Sequence, residues 1–425
     1  MHDLLSIETA DCLIGEALAP FGSETVALLH SAGRILRQEI WAERALPPYD
    51  RVILDGIAIR WQDTRGAQAQ GQQTRKQEIP DSFVLAATQP AGRPPLDLRT
   101  IVTSENAPLP AAIAVMTGSV LPHGTDTVIP REDYDLTEGT HGTIIRLEDG
   151  VHPRKGQHIH SEGSDCAAGT VLLNAGIRLS PPDLAILAAN GVAEPRVAII
   201  PSIAIISTGD ELVAPDEPVQ AWQIRRSNEY AISASLSRQG FTRQSLSLVP
   251  DNLAAVTDHF REVLETHDVL VISGGVSMGQ FDFVPKALAA LNVRNVFHKV
   301  AQRPGKPFWF GVSDKGQPVF ALPGNPVSAL ACCSRHVVPA LLRAQDHVLS
   351  TRRVVLSEAL APLLGMTRLV PVQLQSDGTG SMRATPHPMP TSGDFNRLGM
   401  TDGIVSLPPG DRPLQAGDIV TFHEW

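Results

Sequence analysis

Four cysteines in 425 residues are too few for a disulfide scaffold. Cys12, Cys166, Cys332 and Cys333 have no metal-ligand spacing, and the adjacent Cys332 and Cys333 point in different directions on a predicted helix. Positive charge is also in short supply. Lys and Arg number 35 against 45 Asp and Glu, a formal charge of −10, which argues against a nonspecific nucleic-acid or membrane partner. No apolar run is long enough to span a bilayer. The N-terminal stretch, with Asp3, Glu8 and Asp11, has no signal-peptide pattern, so a reduced, cytoplasmic protein is expected. The P-loop fingerprint, the dinucleotide-binding βαβ signature and the G-x-S-x-G elbow are all missing. His152, His158 and His160 lack zinc-like spacing, and no internal repeat is present. P-loop, dehydrogenase, serine hydrolase and zinc readings therefore lose ground.

The chain does have three glycine-bearing turns, each after an apolar, branched run. Ile203–Ile206 leads into Ser207-Thr208-Gly209-Asp210-Glu211, Asp268–Ile272 into Ser273-Gly274-Gly275-Val276-Ser277-Met278-Gly279, and Pro318–Leu322 into Leu322-Pro323-Gly324-Asn325-Pro326. Helical patterns follow at Asn228–Gln239, Asp282–Leu291 and Val327–Ala344. Turns at the carboxyl ends of parallel strands collect at one edge of a sheet, where ligands bind.

The chemistry around these turns is that of an anion site. Ser273–Gly279 offers successive backbone N–H groups and two hydroxyls. Glu211, Asp251 and Asp282 supply carboxylates, although Asp251 and Asp282 also sit where helix caps are expected. Lys299, Arg303 and Lys306 flank Pro304-Gly305, a cation cluster suited to a phosphate or oxyanion or, equally, to a solvated strip.

Around this αβ core the pattern changes. Ser6–Leu18 has helical periodicity. Residues 61–100 are rich in Gln, Gly and Pro, with Gln62–Gln77 expected as surface loop. Short strand-like runs alternate with glycines from Asp135 to Leu173 and again after Arg352. The pattern alone reads as an αβ core flanked by a β-rich accessory region and a small terminal β-domain.

Taken together, the motifs resemble the molybdopterin molybdenumtransferase family (MoeA-like; the C-terminal part of gephyrin is a relative), in its order and over nearly the whole chain. Pro47-Pro48-Tyr49-Asp50 with Leu54-Asp55-Gly56 is similar to its P-x-x-D…M-D-G-Y-A segment. Thr117-Gly118-Ser119 followed by Gly124-Thr125-Asp126-Thr127-Val128 resembles T-G-A…G-A-D-T-V, and Gly163-Ser164-Asp165 resembles G-E-D. Ser207–Leu212, Ser273–Asp282, Arg303–Pro307 and Leu322–Pro326 are similar to S-T-G-D-E-L, S-G-G-V-S-x-G, K-P-G-K-P and L-P-G-N-P.

The resemblance implies a multidomain α/β fold: a three-layer αβα core (178–346) on which an N-terminal helix (1–22) packs, a small β-rich linker (23–45 with 136–177), an inserted β-rich domain (46–135) and a C-terminal β-barrel (347–425). It also implies a cytoplasmic homodimeric transferase that inserts molybdate into adenylylated molybdopterin and releases AMP with Mg²⁺. An adenylyltransferase partner and recipient molybdoenzymes are implied as well. Residue by residue it implies catalytic roles for Asp55, Thr117, Asp165, Glu211, Asp251, Lys299, Arg303 and Lys306, with Asp55 reaching across the dimer. Substrate binding would fall to Ser207, Gly209, Ser273, Gly274, Gly275, Ser277, Pro323, Gly324, Asn325, Pro326 and Ser392, and metal binding to Glu211, Asp251 and Asp282. The chain departs from the family in its flanking domains. The S-x-M-D-G-Y-A segment is Val52-Ile53-Leu54-Asp55-Gly56-Ile57-Ala58, and the basic residue before G-E-D is His160. Two terminal-domain arginines are Met366 and Pro371, and A-N-G is Thr401-Asp402-Gly403. These departures motivate a second reading, a non-catalytic paralogue that binds molybdopterin or a partner protein.

Overall fold

The computed structural model describes residues 4–64, 82–101, 109–139, 142–276, 282–378, 380–387, 389, 391 and 396–425. They form two compact units. One comprises the chain up to Gln38 with Asn174–Ala188 and Val192–Trp425, and the other Glu39–Leu173 with Ala189–Gly191.

The larger unit is built on a six-stranded sheet. Its strand order is Gln244–Val249, Ile203–Thr208, Val269–Ser273, Pro318–Leu322, Trp309–Val312, Arg294–His298. The first four strands are parallel, and Trp309–Val312 runs antiparallel to both of its neighbours, Pro318–Leu322 and Arg294–His298. Strands buried on both faces read as unbroken apolar runs, because helices cover each side. Ile203, Ile205, Val269 and Val271 pack on one face against Ile232 and Leu236 of helix Asn228–Arg238. Ala204, Ile206, Leu270 and Ile272 face the other side, against Val256 and Phe260 of Leu253–Thr266 and Leu288 of Val284–Ala290. The result is the expected three-layer core.

Helix Ile7–Ala17 is capped by Ser6, whose hydroxyl accepts from the Thr9 N–H, and it buries Ile7, Ala10 and Ile14 in the first of these layers. The expected single helix Val327–Ala344 is three pieces: Pro326–Cys332, a π-helical turn at Cys333–Val337, and Val338–Ala344. Pro339 has no N–H for the carbonyl one turn back, and the backbone widens just ahead of it.

Five strands close the C-terminal barrel: Thr367–Ser376, Met382–Pro386, Arg352–Leu356, Ile419–Glu424 and Gly403–Leu407, which pairs back onto the first. Val354, Val370, Val372, Val405 and Phe422 are among its filling. Outside this ring, Gln302–Arg303 runs parallel to Thr367–Arg368 and ties the core to the barrel. Among the described residues no helix is long and apolar enough to cross a membrane.

His423, on the barrel strand Ile419–Glu424, gives a prediction. Burial, reinforced by the charges of Arg335 and His336, pushes its pKa down to about 3 from 6.5. Between those values the unfolded chain takes up a proton that the native state refuses, so stability is full above pH 6.5 and lost as pH falls toward 3. From pH 7 to pH 5 this amounts to about 2 kcal/mol. Denaturant titrations at the two pH values should show the loss, and His423→Gln should remove most of it.

The smaller unit carries a second six-stranded sheet, ordered Thr127–Pro130, Gly56–Ile59, Ala111–Val115, Ser82–Gln89, Gly142–Leu147, Tyr134–Gly139. Its two faces have separate cores, one around Val52, Ala58 and Ile113, the other around Ile57, Ile59 and Phe83. Gly56 is required there, because a Cβ would lie 2.0 Å from the Ile129 carbonyl oxygen on the neighbouring strand.

Candidate functional site

The strands Ile203–Thr208, Val269–Ser273 and Pro318–Leu322 end side by side, and their turns are fastened together. Asn228, first residue of its helix, donates from Nδ2 to Ser273 Oγ at 2.8 Å and to the Gly324 carbonyl at 2.7 Å. The Gly274 N–H reaches the Leu322 carbonyl at 3.1 Å. Gly274 takes φ +105°, and a Cβ there would sit 2.8 Å from Thr208 O. The Ser207 hydroxyl donates to Glu229 Oε2 at 2.5 Å, and the fully buried Glu229 carboxylate lies 3.2 Å from Arg226 Nε. A buried charge of this kind persists only when it is paired.

Above these turns is a cavity of about 930 Å³, bounded by Ser207, Glu211, Asp251, Gly275, Asp282 and Pro323, with Arg225 and Arg226 on its rim. Thr208 Oγ1 is buried next to Gly274 and Gly275 and has no hydrogen-bond partner among the described residues. A hydroxyl in that position is ready for a ligand acceptor.

The acids on this cavity are not helix caps. Asn252 caps Leu253–Thr266 by accepting from the Ala254 and Ala255 N–H groups, which leaves Asp251 to the cavity, its own N–H bound to Asp210 Oδ1 at 3.0 Å. The helix after the second turn starts at Val284 with Phe283 in the cap position, one residue beyond Asp282. Burial and the neighbouring carboxylates of Asp210, Glu211 and Asp282 raise the Asp251 pKa, so these groups share one negative field. Among the described residues, no three His, Cys, Asp or Glu side chains converge as a ready-made metal cage. His298 Nε2 bonds the Val276 carbonyl at 3.1 Å and fixes the glycine turn from the side; burial lowers the His298 pKa.

A second cavity, about 760 Å³, shares Pro307, Pro323 and Asn325 with the first. Arg303 and Lys306 stand on one wall, and the barrel supplies Leu363, Met366, Arg368, Pro371 and Met389 opposite. Of the three cations expected together, Lys299 borders neither cavity. It holds φ +79° at the end of strand Arg294–His298, its N–H bound to the Phe308 carbonyl. With Met366 and Pro371 in place of arginines, Arg368 is the barrel cation on this wall, braced by the Ala361 carbonyl at 2.6 Å.

In the smaller unit, Asp55 Oδ1 accepts from the Thr117 N–H at 2.7 Å and its hydroxyl at 2.8 Å; these bonds lower the Asp55 pKa. Asp165 bonds His160 Nε2 at 2.8 Å, and Arg51 Nη2 donates to His160 Nδ1 at 3.0 Å. His160 thus keeps its proton on Nε2, facing Asp165. Ser277 and Ser392 lie outside the described residues.

Asn228, Glu229, Thr208, His298 and Arg368 escape the sequence reading. Asn228 and Glu229 had one available signal, two polar residues opening a helix one residue after the Arg225-Arg226 pair. Arg368 had another, a charge alternating with apolar residues on a strand that lines a cavity.

The chain matches three family models: "MoeA N-terminal region (domain I and II)" over residues 5–191, "Probable molybdopterin binding domain" over 204–343, and "MoeA C-terminal region (domain IV)" over 353–425. A molybdopterin molybdenumtransferase of Synechocystis sp. is 32% identical over 99% of this chain and 100% of its own. Another from Synechococcus elongatus is 31% identical over 97% of this chain and 98% of its own. A crystal structure of the molybdopterin biosynthesis MoeA protein from Pyrococcus horikosii matches with a TM-score of 0.77 at 27% identity, covering 99% of both chains. With the three-layer core, the closed barrel and this end-to-end similarity, the chain belongs to the molybdopterin molybdenumtransferase (MoeA) family.

Proposed function

We propose that this protein inserts molybdate into adenylylated molybdopterin with release of AMP, a Mg²⁺-dependent step of molybdenum cofactor biosynthesis. Membership of the family supports a transferase of that pathway. One observation supports the finer reading most: a carboxylate-lined cavity under glycine turns adjoins a second cavity bearing Arg303 and Lys306, and both share Pro323 and Asn325.

In this reading the pterin nucleotide lies in the first cavity, against Ser207, Ser273, Gly274, Gly275 and the Pro323–Pro326 turn, and Gly209 and Ser277 are assigned to it on the family motifs alone. The Thr208 hydroxyl, unpartnered among the described residues, receives a phosphate oxygen, which costs little reorganisation because the turns are already fastened. Molybdate is held by Arg303 and Lys306 in the second cavity, with Lys299 at longer range; Ser392 is assigned to it on the family motifs alone. Glu211, Asp251 and Asp282 suit a hard cation, which takes one or two carboxylates and completes its shell with substrate phosphates. Mg²⁺ bound there would neutralise charge on the phosphates. Asp55, Thr117 and Asp165 are assigned to the same reaction on the family motifs. Homodimerisation, a cytoplasmic location and dealings with an adenylyltransferase and molybdoenzymes belong to this proposal too.

A second reading, a non-catalytic paralogue, draws on the apolar barrel wall around Met366 and Pro371 and on the altered Val52–Ala58 segment. Complementation separates the two. In a strain lacking its molybdenumtransferase, the active enzyme restores nitrate reductase activity, whereas a binding-only protein gives none at equal expression.

A further inference from the structure

A buried polar chain runs from the first helix to the cationic loop. Asp11, on helix Ile7–Ala17, takes two bonds from Arg335, Nη1 to Oδ1 at 3.1 Å and Nη2 to Oδ2 at 2.7 Å, and lies 3.3 Å from His336 Nδ1. His336, in the π-helical turn, is 1% exposed, stacks on the Phe308 ring, and places Nε2 2.8 Å from Gln302 Oε1. Gln302, wholly buried, donates from Nε2 to the Gly305 carbonyl at 3.1 Å and toward Cys332 Sγ at 3.3 Å. The same Gly305 carbonyl accepts the Phe308 N–H. Gly305 fits this cradle closely: at φ +93°, a Cβ would meet Cys332 Sγ at 2.5 Å and Gln302 Nε2 at 2.7 Å.

The direction of each bond follows from the partners. A carbonyl accepts, so the Gln302 amide nitrogen must face Gly305 and its oxygen must face His336. Both ring nitrogens of His336 therefore meet acceptors, and the neutral ring, which carries one N–H, donates to one of them at a time. Burial lowers the His336 pKa, the bond to Asp11 on the first helix opposes this, and the charge of Arg335 on the same turn adds to it; His423 faces the cluster from the barrel. Cys332 and Cys333 are fully buried beside it, with pKa values raised by that burial, and remain neutral thiols.

We infer that Gln302 and His336, anchored on Asp11, are positioning residues that hold the Arg303–Lys306 loop in place for an oxyanion. The loop itself is exposed at Arg303 and Lys306; the Gln302 side chain holds it from beneath, beside the backbone pairing of Gln302–Arg303 with Thr367–Arg368 and the Val300 N–H bond to the Lys306 carbonyl. The relay links the N-terminal helix to the second cavity, whose lining includes Gln302. Its link to molybdate rests on the function proposed above, but the positioning itself is testable without it.

The test compares the full-length protein with Gln302→Met, which keeps volume and removes the amide, and with His336→Phe, which keeps the ring stack on Phe308 and removes both bonds. Amide hydrogen exchange of the segment 302–308 is read by mass spectrometry, with molybdate affinity by calorimetry as a second arm. Both variants should accelerate exchange there about tenfold, while the strands Ile203–Thr208 and Val269–Ser273 stay protected. Gln302→Glu, which keeps an acceptor for His336 but offers no donor to Gly305, should behave like Gln302→Met. Unchanged exchange at 302–308 in Gln302→Met and Gln302→Glu would overturn the relay, as would acceleration spread evenly over the core in all three variants. Molybdate affinity should fall about tenfold in the same variants, with the pterin-nucleotide affinity kept. If the loop loosens while wild-type protein binds no molybdate, the relay stands and the oxyanion reading fails.

Discussion

Gly274→Ala is expected to reduce turnover about a hundredfold or more, because misplacing a reacting group by about an ångström costs on that order. The residue holds φ +105°, where an L side chain is strained, and its Cβ would press to 2.8 Å from Thr208 O and 2.9 Å from Thr208 Oγ1. Thr208 cannot retreat, since its strand is paired on both sides, with Gln244–Val249 and with Val269–Ser273. The turn must yield instead, breaking the Gly274 N–H bond to Leu322 and disturbing Ser273, whose hydroxyl Asn228 holds. Steady-state rates and pterin-nucleotide affinity should fall together. Gly378→Ala is the control, at φ +77° with nothing within 4 Å of the added methyl, and should leave turnover unchanged.

Glu211→Gln should have the second large effect, a loss of roughly two to three powers of ten in Mg²⁺-dependent turnover, the usual scale for removing a charge-stabilising group from a site. A second consequence separates this from simple disruption. Asp251 is raised by burial first and then by the charges of Asp210, Glu211 and Asp282. Removing the Glu211 charge lowers the Asp251 pKa toward its ordinary value, so the acid limb of the residual pH–rate profile should move to lower pH. An unshifted limb would mean that the two carboxylates do not share a field during turnover.

The sequence discloses the core better than its neighbours, for physical reasons. Strands buried on both faces, such as Ile203–Thr208 and Val269–Ser273, have a composition that admits few alternatives, and glycines at φ +105° and +63° mark the turns beyond them. The closed barrel was legible from short runs and turns together with the family resemblance. The bonds that assemble the site were not. Asn228 joins turns 45 and 96 residues away, and no local pattern encodes a partner so distant. The same holds for His336, 325 residues from Asp11 and 34 from Gln302. A simple cation count misleads as well: Lys299, Arg303 and Lys306 are neighbours in sequence, yet the positive φ at Lys299 sends the chain away and only the other two border the second cavity. The π-helical turn before Pro339 interrupts a pattern that reads as one continuous helix.

The most direct test of the central claim is a single-turnover assay. Purified protein is mixed with adenylylated molybdopterin, Mg²⁺ and molybdate, and AMP and molybdenum cofactor are both quantified. An active transferase releases one AMP per cofactor formed, only with molybdate present, and Glu211→Gln slows the formation of both products by the same roughly two to three powers of ten. Tight pterin-nucleotide binding with no AMP and no cofactor would contradict the claim and leave a binding protein in its place.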